Sequence, residues 1–521
     1  MTRKVLFIRP SATKEDMQKI KYESNYYMMP IGILSIIAYT KKYLQNVHYE
    51  ILDFGTLDHR GIHSDVMYAT IHEEVTRLKP DIVAISILAS ATVNHAQPIA
   101  HKIKSIDDEI AVVLGGVGPS VMTQDEILQQ LPNVDGICYS EGEIPFLEVL
   151  KASDIFAELE SNTSFITHAK ILNEDFLPQA KLVTNLDEIP TLPIDMLDLT
   201  QYENAVIPIE GKNSVIMHTV RGCPFKCRFC AAPGISGNRL RCYSAQRVLN
   251  DLEVYKEAFP YNQLTILDEQ LLFNKDRVVE LIEGLSKIDV LLSIPNGMNI
   301  SLIDEDIAKL FSLIEMDRYV FAIESGSQRV LQDVMKKPVS LEQAQKVLAL
   351  MYTDRWETHS NFVIGMPGET EEDRKMTVDF IKNAHIDWSV FFAALPIRGS
   401  ELYREAIDNG HLIVDESGAE RISNEQINSK EMDEKAYMYN LECNFVHNFP
   451  MRQGNFIKAR RRFDFVRNKY PDHAFAHYYF AECSQALGEI DEYESAMKEY
   501  RRCVSSDKKW NDYAVKFGLN R

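Results

Sequence analysis

The sequence lacks any run approaching twenty uninterrupted apolar residues, so no membrane span is expected. It lacks a signal-peptide core, since Met1-Thr-Arg-Lys leads directly into a short strand. A disulfide framework is missing too: eight cysteines in 521 residues, five of them scattered, do not make one. The expected setting is a soluble protein in a reducing cytoplasm. Positive charge is scarce, with 56 Lys and Arg against 76 Asp and Glu. The net charge of -20 argues against nucleic acid as the main partner.

What is present sets the scale. With 45% apolar residues, a chain of this length can pack two or three domains. Three of the cysteines crowd into Arg221-Gly-Cys-Pro-Phe-Lys-Cys-Arg-Phe-Cys230, a Cys-x3-Cys-x2-Cys loop bent by Gly222 and Pro224. Three thiolates so close can converge on one soft-metal centre and leave a ligand position open. Structural zinc is the blander reading, and it closes four ligands. Cys242 and His218 fit none of the usual paired spacings, and Cys242 falls where a helix begins to read. Structural zinc and chance clustering stay as minor alternatives to an iron–sulfur cluster with one open iron.

Short apolar strands alternate with helices in the first segment, at Lys4-Val-Leu-Phe-Ile8, Tyr49-Glu-Ile-Leu-Asp53, Ile82-Val-Ala-Ile-Ser86 and Ala111-Val-Val-Leu-Gly115, with an apolar run from Ile31 to Tyr39. This pattern predicts a doubly wound parallel sheet over residues 1–153, with ligands at the carboxyl ends of its strands. Those ends carry Asp53, Ser86, Leu88, Gly115, Gly116, Gly118, Glu141 and Gly142. Glycines there allow close backbone approach to a large ligand. Residues 154–206 read as an inter-domain linker laid across a surface.

From 207 to 412 strand and helix alternate again. Val215–Val220 delivers the cysteine loop, and further strands read at Leu264–Asp268, Val290–Ile294, Tyr319–Glu324, Asn361–Gly365 and Val390–Leu395. Repeated units of this kind favour a full or partial barrel with its active site on the carboxyl face. Polar residues at those ends, among them Asp268, Glu269, Glu324 and Ser325, can hold an ammonium group and ribose hydroxyls, while Gly365 and Gly368 let backbone close on an adenine ring. Residues 413–521 read as polar helices. Gly454-Asn-Phe-x-x-Ala459-x-x-x-Phe463 is echoed by Tyr493-x-x-Ala496-x-x-x-Tyr500, and Gly454 and Gly488 lie 34 residues apart, resembling tetratricopeptide repeats. Too few repeats are present to stand alone, so this piece should dock on the barrel or on another subunit.

The loop Cys223, Cys227, Phe229, Cys230 resembles the signature of radical S-adenosylmethionine (SAM) enzymes. Ser86-x-Leu88 and Gly115-Gly116 resemble the cobalamin-binding domain that precedes the core in a large subgroup. Asp268-Glu-Gln-x-x-x-Asn274, Glu324-Ser-Gly-Ser327, Gly365-Met-Pro-Gly-Glu-Thr370 and Pro396-x-x-Gly399-Ser400 match that subgroup in order. The resemblance implies a partial six-stranded barrel and a 4Fe-4S cluster on Cys223, Cys227 and Cys230, with SAM chelating the open iron. It implies SAM contacts from Phe229, Asp268, Glu269, Glu324, Ser325, Gly365 and Gly368. Cobalamin is implied at Asp53, Ser86, Leu88, Gly115, Gly116, Gly118, Glu141 and Gly142. Gly55 stands where a cobalt-ligating histidine would be and His59 is out of register, so cobalamin is expected without a protein histidine on cobalt. The activity implied is methylation of an unactivated carbon, less often phosphorus, of a small molecule or peptide, with an external donor such as flavodoxin or ferredoxin. A radical cyclase, ring-contracting enzyme or other oxidoreductase of the same architecture, and a cobalamin-binding sensor, are the other readings.

Overall fold

A computed structural model describes residues 2–16, 28–57, 61–88, 90–173, 175–202, 213–416 and 418–519. His59 and the expected boundary at 206/207 lie outside the described residues. Five parallel strands, β1 (Arg3–Arg9), β2 (Val47–Asp53), β3 (Ile82–Ser86), β4 (Ala111–Gly115) and β5 (Gly136–Cys138), form the first sheet with an antiparallel edge strand β6 (Phe165–Ile166). The order is β2-β1-β3-β4-β5-β6.

Alternation along one strand explains why helices cover both faces. Val5 and Phe7 of β1 pack with Ile33, Ile37 and Phe146 on one side, while Leu6 and Ile8 pack with Ile71 and Ile99 on the other. The order reverses between β1 and β3, and in such a sheet the crevice at that reversal is where ligands bind.

The first sheet runs past the boundary expected at 153, because helix Ile155–Ser161 and β6 complete it. The segment after β6 is not merely laid across a surface: Leu186, Ile189 and Ile194 are buried in the core of the second domain. Those apolar residues are too widely spaced to reveal their burial as a periodic pattern.

The second domain is an open barrel of six strands. Its first half holds β7 (Ser214–Met217), β10 (Gln263–Ile266), β11 (Leu291–Ser293) and β12 (Glu315–Met316), all parallel. After Asp317 the same strand continues as β13 (Arg318–Glu324), which pairs with β14 (Glu357–Ile364), and β14 with β15 (Trp388–Ala393). The strand expected over Val215–Val220 is two. β7 stops at Met217, and β8 (Val220–Arg221) turns to pair antiparallel with β9 (Arg241–Cys242). The break follows from the Asp268 carboxylate, which accepts the backbone N–H groups of Thr219 and Val220 and so draws them away from strand pairing. Cys242 lies in β9, and the helix expected there begins at Ala245, capped by Ser244.

β15 is the open edge of the barrel, and the carboxyl-terminal helices cover it. Asn444 accepts the Ser389 N–H at 2.7 Å and donates to its carbonyl at 2.7 Å; Asn440 does the same at Phe391, at 2.9 and 3.2 Å. Side-chain amides thus replace a seventh strand, satisfying backbone groups that would otherwise recruit another chain. The carboxyl-terminal region is not purely helical, since it opens on a hairpin of β16 (Leu412–Val414) and β17 (Glu420–Ile422). Helix Ser429–Leu441 comes next, and after two short helical turns the helices Phe456–Lys469, Ala474–Ala486 and Ile490–Ser506 follow. The repeated small and large positions Ala459, Phe463, Ala496 and Tyr500 are all buried between them. Among the described residues no helix is long and apolar enough to cross a membrane.

Candidate active site

β8 and β9 close the neck of the cysteine loop. Gly222 has φ +89°, and a Cβ there would stand 2.3 Å from the Arg239 carbonyl oxygen, so the turn requires glycine. The loop is clamped at Arg228, whose N–H donates to the Met335 carbonyl at 2.9 Å and whose carbonyl accepts the Leu402 N–H at 2.8 Å. Its guanidinium reaches Glu405 and the Pro367 carbonyl.

The three cysteines are free thiols. Burial and the neighbouring thiols push Cys227 up to about 11, and burial raises Cys223 and Cys230 as well. The nearby Lys337 ammonium works the other way on Cys227 and Cys230. Thiols in this state favour their ionised form only when a cationic centre is bound. Among the described residues no three His, Cys, Asp or Glu side chains converge on a single ion. The three thiols all come from one loop and lie close enough to raise one another. That donor set fits an iron–sulfur cluster better than closed structural zinc.

The polar strand ends divide in two. Glu324 stands at the site with Lys337, which donates to its Oε1 at 3.0 Å, and Lys337 lies 5.9 Å from the Phe229 ring. Glu269 accepts the Ser236 hydroxyl at 2.7 Å, and its Oε2 is buried with no partner, leaving an acceptor beside the cysteines for a cationic group. Gly365 and Gly368, at φ +80° and +98°, shape the turn after β14.

Asp268 and Ser325 do not offer free atoms. Asp268 is fully engaged by Thr219 and Val220, and burial pushes it up to about 6. It braces the strand break rather than facing a ligand. Ser325 is buried, and its hydroxyl accepts the Ser327 N–H at 3.1 Å in the turn under Thr377.

The expected residues of the first domain, Asp53 and Gly118 apart, converge on one apolar cavity of 310 Å³, within 1330 Å³ of atom-free space that includes its solvent mouth. Ser86, Leu88, Gly115, Gly116, Glu141 and Gly142 line it from the sheet, and His218, Arg221, Ser236, Leu267 and Glu269 from the barrel. Gly116, at φ +98°, is a cradle: a Cβ would meet the Ile87 carbonyl oxygen at 2.3 Å.

Asp53 and Gly118 are not in the lining. Asp53 ends the edge strand β2, away from the crevice between β1 and β3, and is held there by Arg9 at 2.6 Å and by the Tyr202 hydroxyl. Gly118 lies under Ile87 and Val93. The lining histidine, His218, comes from the barrel, and burial and Arg221 push it down to about 4, so it is neutral. No histidine of the described sheet residues lines the cavity.

Sequence reasoning did not foresee that Arg221 and Arg241 join the domains. Arg221 donates to Glu143 at 2.8 Å, reaches Glu141 at 3.1 Å and donates to Ser35 at 3.0 Å. Arg241 grips both oxygens of Glu141, so that predicted cofactor contact is also an interface anchor. Arg221 lies two residues before Cys223, the one signal that it belonged to the site. Lys337 sits in Met335-Lys-Lys-Pro338 with no distinguishing pattern.

The chain is similar to known proteins along this whole arrangement. Residues 217–381 match the Radical SAM superfamily and residues 18–150 the B12 binding domain. The chain is 29% identical over 376 residues to an uncharacterized methyltransferase of Pyrococcus horikoshii, covering 71% of this chain and 78% of that one. It is 26% identical over 465 residues to the cytidylyl-2-hydroxyethylphosphonate methyltransferase of Streptomyces wedmorensis, covering 80% and 83%. In fold it is similar to the radical SAM methyltransferase TsrM from Kitasatospora setae, solved with cobalamin and a [4Fe-4S] cluster. The TM-score is 0.62 at 14% identity, over 97% of this chain and 100% of that one. With a B12 binding domain at one end of the cavity and the three-cysteine barrel at the other, the chain belongs to the cobalamin-binding radical SAM enzymes.

Proposed function

We propose that the protein is a cobalamin-dependent radical SAM methyltransferase acting on an unactivated carbon, with phosphorus as the less frequent acceptor, of a small molecule or peptide. The observation that carries this reading is the cavity shared by both domains, where Ser86 and Gly116 face His218 and Glu269. The methyltransferases among its relatives support it. When bound, SAM on the cluster supplies a radical that abstracts hydrogen, and cobalamin supplies the methyl group.

Cys223, Cys227 and Cys230 would hold the cluster. Phe229, Glu269, Glu324, Gly365 and Gly368 would hold SAM, with Glu269 Oε2 accepting its ammonium group. Ser86, Leu88, Gly115, Gly116 and Gly142 would hold cobalamin, with no protein histidine on cobalt. The chain's own work is positioning: Arg221 and Arg241 fix one domain against the other, and the apolar lining excludes water from a reactive site. Free thiols suit a cytoplasmic location, and a small electron-transfer protein would serve as reductant.

The test is anaerobic turnover of the reconstituted enzyme with hydroxocobalamin, a strong reductant, methyl-deuterated SAM and a native cell extract. Equal amounts of 5'-deoxyadenosine and S-adenosylhomocysteine, with label in one product, are expected. Deoxyadenosine without label or homocysteine product would favour the cyclase reading instead. Alanine at any of the three cysteines should abolish SAM cleavage.

A further inference from the structure

We infer that His218 is a substrate-binding residue whose imidazole accepts a hydrogen bond from a hydroxyl or an uncharged N–H group beside the reacting atom. The inference rests on the methyltransferase reading only in seating a substrate in the cavity between the two cofactor sites.

The backbone puts His218 on the cavity wall. β7 ends at Met217, and the Asp268 carboxylate draws the Thr219 and Val220 N–H groups aside, so His218 alone stands between the strand end and the turn. Val215 and Met217 point outward into the core under the helices, which leaves Ile216 and His218 on the inner side. Ile216 packs there with Met28, Ile31 and Leu267, and all three of those residues border the cavity that His218 lines.

The other barrel residues of that wall are already engaged. Arg221 is held by Glu141, Glu143 and Ser35. Ser236 donates to Glu269 at 2.7 Å, the free oxygen of Glu269 is set against the SAM ammonium group, and Leu267 is apolar. His218 is the polar group left over. One of its ring nitrogens donates to the Leu267 carbonyl. Burial and the Arg221 guanidinium push the imidazole down to about 4, so at neutral pH the second nitrogen carries a lone pair and no proton.

A lone pair in an apolar cavity calls for a donor. A carboxylate or phosphate at this spot would meet another acceptor, and Arg221 would not compensate, because Glu141 and Glu143 already balance its charge. A site that accepts from a substrate O–H or N–H rejects the analogue lacking that group far more strongly than apolar shape does. His218 would therefore select the substrate by its donor group while the surrounding apolar lining only encloses it.

His218→Leu keeps the bulk and removes the acceptor, whereas His218→Gln retains one. Each reconstituted holoenzyme receives methyl-deuterated SAM with and without native cell extract, and the readout is the increment in 5'-deoxyadenosine that the extract causes. The leucine variant should lose about tenfold or more of that increment, and the glutamine variant should recover a large part of it. Iron per chain, deoxyadenosine formed without extract and hydroxocobalamin affinity should match wild type in both. An undiminished increment in the leucine variant overturns the inference, as does an equal loss in both variants, which would mark shape instead of the acceptor. A fall in hydroxocobalamin affinity overturns it too, by placing the imidazole on cobalamin. No increment in wild type would overturn both readings. The label reports separately: an increment without methyl transfer sinks the methyltransferase reading and leaves this one standing.

Discussion

Lys337 Nζ lies 3.0 Å from Glu324 Oε1, the two side chains being 11% and 9% exposed, at the end of the strand that faces the cysteine loop. Burial works against the Lys337 ammonium, and Glu324 and Cys227 more than offset it, so its pKa is raised. Glu324 is held at φ +75°, a left-handed conformation that costs a non-glycine residue on the order of 1–3 kcal/mol. The register break between Ala322 and Glu324 creates that turn and aims the carboxylate at the site.

Lys337→Met leaves Glu324 buried and unpaired. The expected loss of fold stability is about 3–5 kcal/mol by denaturant titration, with a matching loss of SAM cleavage. Lys337→Arg should recover part of both. Stability equal to wild type in the methionine variant would show the pair to be idle.

Arg221 joins the cysteine loop to the first domain through Glu141, Glu143 and Ser35. Arg221→Gln should weaken hydroxocobalamin binding by about tenfold or more, read from the corrinoid absorbance, while iron per chain stays constant. An unchanged corrinoid affinity would mean that this interface does not shape the cavity.

Asn444→Leu removes the amide that satisfies both backbone groups of Ser389. About 2–4 kcal/mol of stability should go, with a greater tendency to aggregate through the bared β15 edge. The urea midpoint and light scattering measure the two effects. An unmoved midpoint would show that the edge needs no such cover.

Glu369 is pushed up to about 7 by burial, although Gly365 and Arg374 hold it in place, and its Oε1 has no partner. Its ordinary value is 4.5. A folded-state acid with a raised pKa binds a proton that the unfolded chain has released, so stability falls as pH rises from about 4.5 to about 7. Glu369→Gln should remove this slope and stabilise the apoprotein at pH 8 by roughly 1–3 kcal/mol. Equal pH dependence in the variant and wild type, followed by thermal unfolding, would contradict the assignment.

Local features of the chain are legible in its residues alone. The cysteine spacing, the glycine turns at Gly222 and Gly116, and the apolar strands depend on neighbours a few residues away, so their periodicity and composition show in the sequence. Carboxylates are less legible. Asp53, Asp268 and Glu324 all end apolar strands and look alike in sequence. Yet the first is held by Arg9 and Tyr202, the second braces Thr219, and the third stays at the site with Lys337.

The order of residues therefore settled which groups the protein owns: three soft thiols on one loop, glycines at parallel strand ends, and an alternating strand and helix pattern with two sheets to build. Which carboxylate meets which cation emerged from folding. Arg221 finds Glu143 across 78 residues and Ser35 across 186, and Arg241 finds Glu141 across 100. An ion pair forms only where the fold brings opposite charges within hydrogen-bonding distance, and no local pattern encodes such a separation. The cavity has the same origin, since its two walls come from different domains.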